Sequence, residues 1–312
     1  MDTSVTIAGI TLEHPLMNAA GTCKVLEDVE RLATSATAAI VVGSYTMDAR
    51  VGNSGTTYGM SRHERFSLNS LGLPNPGIQY LEKNLKEMVT IAHQAEKPLF
   101  VSITGFAPPE YELLLECAFD SGADMVELNL GCPNVWNGQL QHKIPSFSPP
   151  TISEILHFVQ RAGHRNPKKP ICVKLSPFSD PTLLQIIARG ISICPYVQCI
   201  TSMNTFPNAF AFEENSLEKQ LLSPQDGYGG MAGPAIKAIG LGQVKQLRRS
   251  FDDYMSLIGV GGITSGWDMM EYLAVGAQAV QVATAYCNRG EEIFGEILTE
   301  YLDLLSRMPK KE

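Results

Sequence analysis

The sequence predicts a (β/α)8 TIM barrel with long insertions at its C-terminal rim, and three observations carry that reading. Short apolar runs alternate with amphipathic stretches along the chain, which implies a parallel sheet. There are eight such units, which points to a closed barrel, with an open doubly wound sheet as the alternative. Two connections, roughly 33 residues at 45–77 and roughly 29 at 205–233, are too long for plain barrel loops, and long insertions on one rim usually cover an active site.

In chain order, the first strand is read in PLMNAAG (15–21), followed by a helix over 25–35. The second strand is AAIVVGS (38–44), with its helix delayed to 78–95 by the first insertion. PLFVSITG (98–105) leads to a helix over 109–121, and MVELNLG (125–131) to one over 151–164. Between these, IPSFSPPT (144–151) reads as a Pro/Ser-rich loop. PICVKLS (170–176) precedes a helix over 181–191. YVQCITSMN (196–204) precedes the second insertion and a helix over 234–250. SLIGVGG (256–262) and AQAVQVAT (277–284) complete the set, with helices over 265–275 and 290–307. The whole chain, 1–312, is read as a single domain.

Composition narrows the class. The 312 residues are 44% hydrophobic and 18% charged, with 32 acidic against 24 basic residues and a net charge of −8. Basic residues form no run longer than two, as in PKKP (167–170) and PKK near the C-terminus, which argues against nucleic acid or an anionic membrane as main partner. The N-terminal segment has no basic leader, and no segment approaches the roughly 20 apolar residues of a membrane span, so a cytoplasmic protein is expected. Seven scattered cysteines show no metal-site spacing, and most are expected to be small buried hydrophobes.

The strand ends carry the chemistry. All barrel strands finish at the same rim, and here they finish in Gly21, Ser44, Gly105, Asn129, Lys174, Asn204, Gly261, Gly262 and Thr284. The stretch MVELNLGCPN (125–134) is unusual because its apolar run ends in a glycine, a cysteine, a proline and two amides, Asn129 and Asn134. Cys132 alone would read as a structural thiol; beside these neighbours it belongs to a constellation. GVGGITSGWD (259–268) and VATA (282–285) match the anion site that barrels build from their last two loops, the plain reading being tight turns. Lys174, inside VKLSP, would meet electron-rich atoms of a ligand, or else form a rim salt bridge.

Together these pieces resemble a family, the FMN-dependent dihydroorotate dehydrogenases, especially the soluble class 1 enzymes. The matching motifs are NAAG (18–21), R-x-G-N (50–53), LNSLGLPNPG (68–77), LNLGCPNV (128–135), VK (173–174), MNT (203–205), DGYGGMAG (226–233), GVGGI (259–263) and VATA. They lie in order along nearly the whole chain. NSLGLPN leans to the homodimeric, fumarate-using branch over the branch paired with an iron–sulfur subunit.

The resemblance implies FMN as cofactor and dihydroorotate, orotate and fumarate as small-molecule partners. It implies that Cys132 is the general base for the C5 proton, suited to the task if its surroundings favour the thiolate. Asn69, Asn129, Asn134, Asn204 and Thr205 would hold the pyrimidine, with Leu71, Gly72 and Leu73 of the same loop beside it. An amide offers both donor and acceptor to a ring with alternating N–H and C=O groups. Ala19, Ala20, Gly21, Gly43, Ser44, Asn129, Lys174, Met203, Gly233, Gly261, Gly262, Ala283 and Thr284 would line the flavin and its phosphate.

One position departs from the family. Class 1 enzymes mostly carry a lysine near the end of the second strand, where VVGSYT has Gly43. That removes a cation from the flavin and carboxylate region. A lysine restored at 43 should tighten orotate binding if the strand end can host a side chain, and should harm it if the backbone needs positive φ. Lys24, just past the first strand, is the alternative cation that could reach in instead, with an exposed loop lysine as the preferred reading. The absent lysine keeps two other readings open: a relative acting on another cyclic amide, dihydropyrimidine or enone, and a flavin-binding protein without turnover.

Overall fold

In a computed structural model, which describes residues 2–137, 140–251 and 254–308, the predicted runs become eight parallel strands. They are Leu16–Asn18, Ile40–Tyr45, Leu99–Ile103, Met125–Asn129, Ile171–Lys174, Val197–Thr201, Ser256–Val260 and Ala279–Val282, called here the first to eighth barrel strands. The second to eighth strands pair in sequence order and the eighth pairs back onto the first, whereas the first and second share no ladder. The helices Leu26–Ala33, Gly77–Gln94, Pro108–Asp120, Pro149–Arg165, Pro181–Ser192, Lys237–Ser250, Gly266–Ala274 and Glu292–Arg307 surround them. A short helix, Thr284–Arg289, is added after the eighth strand.

Alternation along each strand divides the core in two, because successive side chains point to opposite faces. Val126, Leu128, Val173 and Ile200 pack outward with the helices. Met17, Val41, Phe100, Met125, Cys172, Cys199, Ile258 and Ala279 fill the barrel interior. Both faces are covered, so the strands read as apolar runs rather than as half-buried ones.

A hairpin not anticipated from the sequence, Val5–Ile7 with Ile10–Leu12, sends Ile7 and Leu12 into the same interior cluster. It is tied to the start of the seventh strand by Ala8 N–H, which donates to Ser256 Oγ at 2.8 Å. IPSFSPPT is also more ordered than a loop: Pro145–Phe147 is a 3-10 turn, and the next helix already starts at Pro149. Ser148 caps that helix and two prolines open it, which suits first-turn positions that need no N–H.

The two long insertions meet each other. Phe206–Ala209, Gly229–Ala232, Ser67–Asn69 and Tyr58–Met60 form one four-stranded antiparallel sheet in that order. Tyr58 Oη donates to Asn288 Oδ1 at 2.9 Å, and Ser67 Oγ lies 3.2 Å from Thr284 Oγ1, so this sheet is fastened to the short helix after the eighth strand.

Between the first and second barrel strands a side chain replaces part of the ladder. The buried Asn18 accepts from Val41 N–H at 2.8 Å and donates to Val41 C=O at 2.9 Å, the two bonds a peptide would make. Leucine at 18 would leave both Val41 groups buried and unpaired. Asn18→Leu should therefore lower stability by roughly 2 to 4 kcal/mol, read from the urea midpoint; an unchanged midpoint would show that the seam does not depend on this amide.

Candidate active site

The strand ends and the inserted sheet enclose two adjoining cavities. One is bounded by the tip of the fourth strand, the first insertion and the first-strand loop: Cys132, Asn129, Asn134, Asn69, Leu71, Gly72, Leu73, Gly21 and Ser44 line it. The other lies over the last two strands, lined by Ala19, Lys174, Met203, Gly233, Gly261 and Gly262. Ala20, Asn204, Thr205, Ala283 and Thr284 border both. Every residue that the resemblance assigns to substrate or flavin, except Gly43, thus borders this paired space, while the strand-end Gly105 lies outside it.

The turn after the fourth strand explains LNLGCPN. A Cβ on Gly131 would lie 2.7 Å from the Leu175 carbonyl group, so glycine is what lets the fourth and fifth strand ends approach. Cys132 follows at the cavity wall with partial exposure, and the Asn134 backbone N–H is directed at its sulfur. Asn129 donates to Ser44 Oγ at 2.9 Å and accepts from Asn204 Nδ2 at 2.9 Å. Ser44 continues to Ser102 at 2.8 Å, and Asn134 Nδ2 donates to Asn69 Oδ1 at 2.7 Å. Barrel rim and inserted sheet are therefore joined through amides inside the cavity.

The condition set for Cys132, surroundings that favour the thiolate, is not met. Burial pushes the thiol up to about 11, although the Asn134 N–H, Arg50 and Lys24 all pull it down. Among the other cysteines, Cys23, Cys172, Cys194 and Cys199 are buried as expected, whereas Cys287 is exposed on the cavity border.

Lys174 is buried at the end of the fifth strand. Its Nζ donates to Gln281 Oε1 at 3.2 Å and lies 3.6 Å from Glu127 Oε1. Glu127 points into the barrel, accepting at its other oxygen from Thr201 Oγ1 at 2.7 Å and Gln281 Nε2 at 3.0 Å. The salt-bridge reading of Lys174 is thus met in part, with a buried partner rather than one on the rim. Glu127 went unnoticed in the sequence, though a carboxylate inside an apolar strand is itself a signal, since it needs a partner. The glycine turns also occur: Gly233, Gly261 and Gly262 have φ of 85°, 119° and 70°.

Two expectations need correction. Gly43 does not offer a place for a side chain: its φ is 102°, and a Cβ there would fall 2.3 Å from the Ser102 carbonyl oxygen. Its N–H donates to Cys23 C=O at 2.8 Å, and its C=O accepts from Gly21 N–H at 2.6 Å, so the position is spent on joining the first two strand ends. Lys24, expected to be an exposed loop residue, is half-buried and lines the cavity with Cys132. Burial lowers its pKa, opposed by Asp28, Cys132 and Cys287.

Comparisons with known proteins agree with this geometry. A family model described as Dihydroorotate dehydrogenase matches residues 3–305. The chain is 32% identical over 311 residues to dihydroorotate dehydrogenase A (fumarate) of Lactococcus lactis subsp. cremoris strain MG1363, covering 97% of this chain and 94% of that one. It is 32% identical over 309 residues to the protein of the same name from L. lactis subsp. lactis strain IL1403, with the same coverage. In fold it is similar to the crystal structure of DHODH from Eimeria tenella in complex with ferulenol. That likeness has a TM-score of 0.81 and 20% identity, over 98% of this chain and 85% of the other.

The constraint at position 43 can be tested with the smallest side chain. Gly43→Ala should lower the thermal midpoint and weaken the seam, and Gly43→Lys should be harmful rather than helpful, because the obstacle is backbone. A Gly43→Ala protein melting like wild type would refute the contact.

Proposed function

We propose, from the premise that this chain belongs to the dihydroorotate dehydrogenase family, that it oxidises dihydroorotate to orotate, with FMN as cofactor, fumarate as acceptor and Cys132 as general base. The observation that carries this reading is the pairing of two cavities. One is ringed by amides around a thiol, and the other is edged by a buried lysine and left-handed glycines.

The residues fit FMN. Thr205 Oγ1 is buried without a hydrogen-bond partner at the junction of the cavities, a polar atom in need of a ligand. At Gly233 a Cβ would meet nothing closer than 3.3 Å, whereas at Gly261 and Gly262 it would strike Met203 and Lys237, so these turns must stay bare. Ala19, Ala20, Gly21, Ser44, Asn129, Met203, Ala283 and Thr284 would complete the cradle, and Lys174 would meet the flavin's electron-rich edge. When bound, FMN supplies an acceptor for hydride at its N5.

Cys132, as thiolate, takes the C5 proton of dihydroorotate while the C6–H bond gives up its electron pair as hydride, and the C5=C6 bond of orotate forms. Asn69 and Asn134 exchange the bond between them, and Asn204 its bond to Asn129, for the ring's N–H and C=O groups, which fixes C5 beside the sulfur. Leu71, Gly72 and Leu73 close over the ring and exclude water. Fumarate, as acceptor, takes up two electrons and two protons and leaves as succinate.

The protein is further read as one cytoplasmic domain working as a homodimer. No helix among the described residues is long and apolar enough to cross a membrane. The second insertion exposes Phe210, Phe212 and Tyr228 as one aromatic cluster, a surface suited to a second copy.

Replacing the base separates chemistry from binding. Cys132→Ala should keep its flavin yet slow flavin reduction by dihydroorotate at least about a hundredfold. Since the thiolate is the reactive form and the thiol lies near 11, the wild-type rate should climb with pH through the alkaline range. A Cys132→Ala protein reduced at the wild-type rate would make the thiol merely structural.

A further inference from the structure

The active cavity contains one cation with no assigned work. Lys24 lines the cavity beside Cys132, Asn69 and Asn134, and its ammonium has no hydrogen bond or ion pair among the described residues. Its neighbours explain why. Asp28, the nearest carboxylate to which it responds, is already taken: one oxygen accepts from the Lys24 and Val25 backbone N–H groups at 2.7 and 3.2 Å, and the other from Arg31 at 2.6 Å. The second lysine of the site, Lys174, is committed to Gln281 and Glu127. Arg50 donates to Gly72 C=O at 3.1 Å and lies over the Phe106 ring at 4.8 Å.

The backbone holds Lys24 where it is. Cys23 pairs with Gly43 across the seam, Tyr45 Oη donates to Lys24 C=O at 2.7 Å, and the Asp28 carboxylate grips its N–H. A half-buried ammonium whose nearby carboxylate, Asp28, is bonded elsewhere is left to meet an anion in the cavity, where its neighbours are amides and thiols. Position 43, one strand over and hydrogen-bonded to Cys23, is closed to any side chain by the Ser102 carbonyl.

We infer that Lys24 is the group that binds the carboxylate of the substrate, and so sets the preference for an anionic over a neutral pyrimidine ring. This rests on the function proposed above and deepens it. The charge that family members carry on the second strand is delivered here from the first, across the seam. With the cation restored, the absent lysine at 43 no longer favours a different substrate. Lys24 acts on binding and orientation, while Cys132 remains the base.

The test compares FMN-loaded wild type, Lys24→Met and Lys24→Arg, each titrated with orotate and with uracil, which lacks the carboxylate, by the shift in flavin absorbance. Lys24→Met should weaken orotate binding roughly ten- to a hundredfold and leave uracil binding unchanged, while Lys24→Arg keeps most of the preference. In turnover the loss should fall on KM more than on kcat. Orotate binding unchanged in Lys24→Met, or orotate and uracil weakened equally, would overturn the inference and leave the proposed function standing. A wild type that fails to prefer orotate would overturn both. If Lys24→Met does not hold FMN, Lys24→Gln is read in its place, and loss of FMN in both variants would assign Lys24 to structure instead.

Discussion

Closure of the barrel between its first and second strands depends on the Asn18 carboxamide, which makes with Val41 the pair of bonds that a neighbouring peptide would otherwise supply. Those two strands have no regular ladder between them, whereas every other neighbouring pair does. Higher along the same seam, Gly43 exchanges backbone bonds with Gly21 and Cys23. The side chains available at the rim follow from this arrangement. A strand end that must bond in both directions and lie against the Ser102 carbonyl cannot carry a lysine, so the adjacent strand brings Lys24 to the cavity.

The rest of the site is organised by satisfaction of buried polar groups. Asn204, Asn129, Ser44 and Ser102 form one chain of hydrogen bonds, and Asn134 with Asn69 forms a second link to the inserted sheet. Each member is paired within the protein, so none of these buried amides is left bare. Thr205 Oγ1 is the exception at the cavity junction. Below the rim, Glu127 balances Lys174 inside the barrel, so that lysine is held in one place without needing the ligand.

The barrel was legible because its strands are apolar on both faces and every one falls within a short run ended by glycine, serine, asparagine or threonine. The rim residues were legible for the same reason: parallel strands finish together, so their last residues must share one face. The inserted sheet was not legible. Its strands hold three or four residues of mixed polarity, such as Tyr58–Met60 and Ser67–Asn69, so no local period marks them, and the pairing that joins the two insertions, Ser67–Asn69 with Gly229–Ala232, spans more than a hundred residues. For Lys24 the preferred reading as an exposed loop lysine gave way to the alternative, because its burial is decided by the assembled cavity wall it shares with Cys132 and Cys287. Gly43 was recognised as a departure, but its cause is the Ser102 carbonyl, a contact between strands that composition does not reveal. The burial that raises the Cys132 thiol is of the same kind, a property of the assembled turn.

The central claim, that this rim oxidises dihydroorotate through a bound flavin and a cysteine base, is tested most directly by a single anaerobic turnover. The purified protein, loaded with FMN, is mixed with dihydroorotate in the absence of fumarate and oxygen, and the flavin absorbance and the orotate formed are measured together. The account predicts that the oxidised flavin spectrum disappears, that one orotate forms per flavin, and that fumarate then restores the spectrum. A protein that takes up no FMN, or one whose flavin stays oxidised with saturating dihydroorotate, would contradict it.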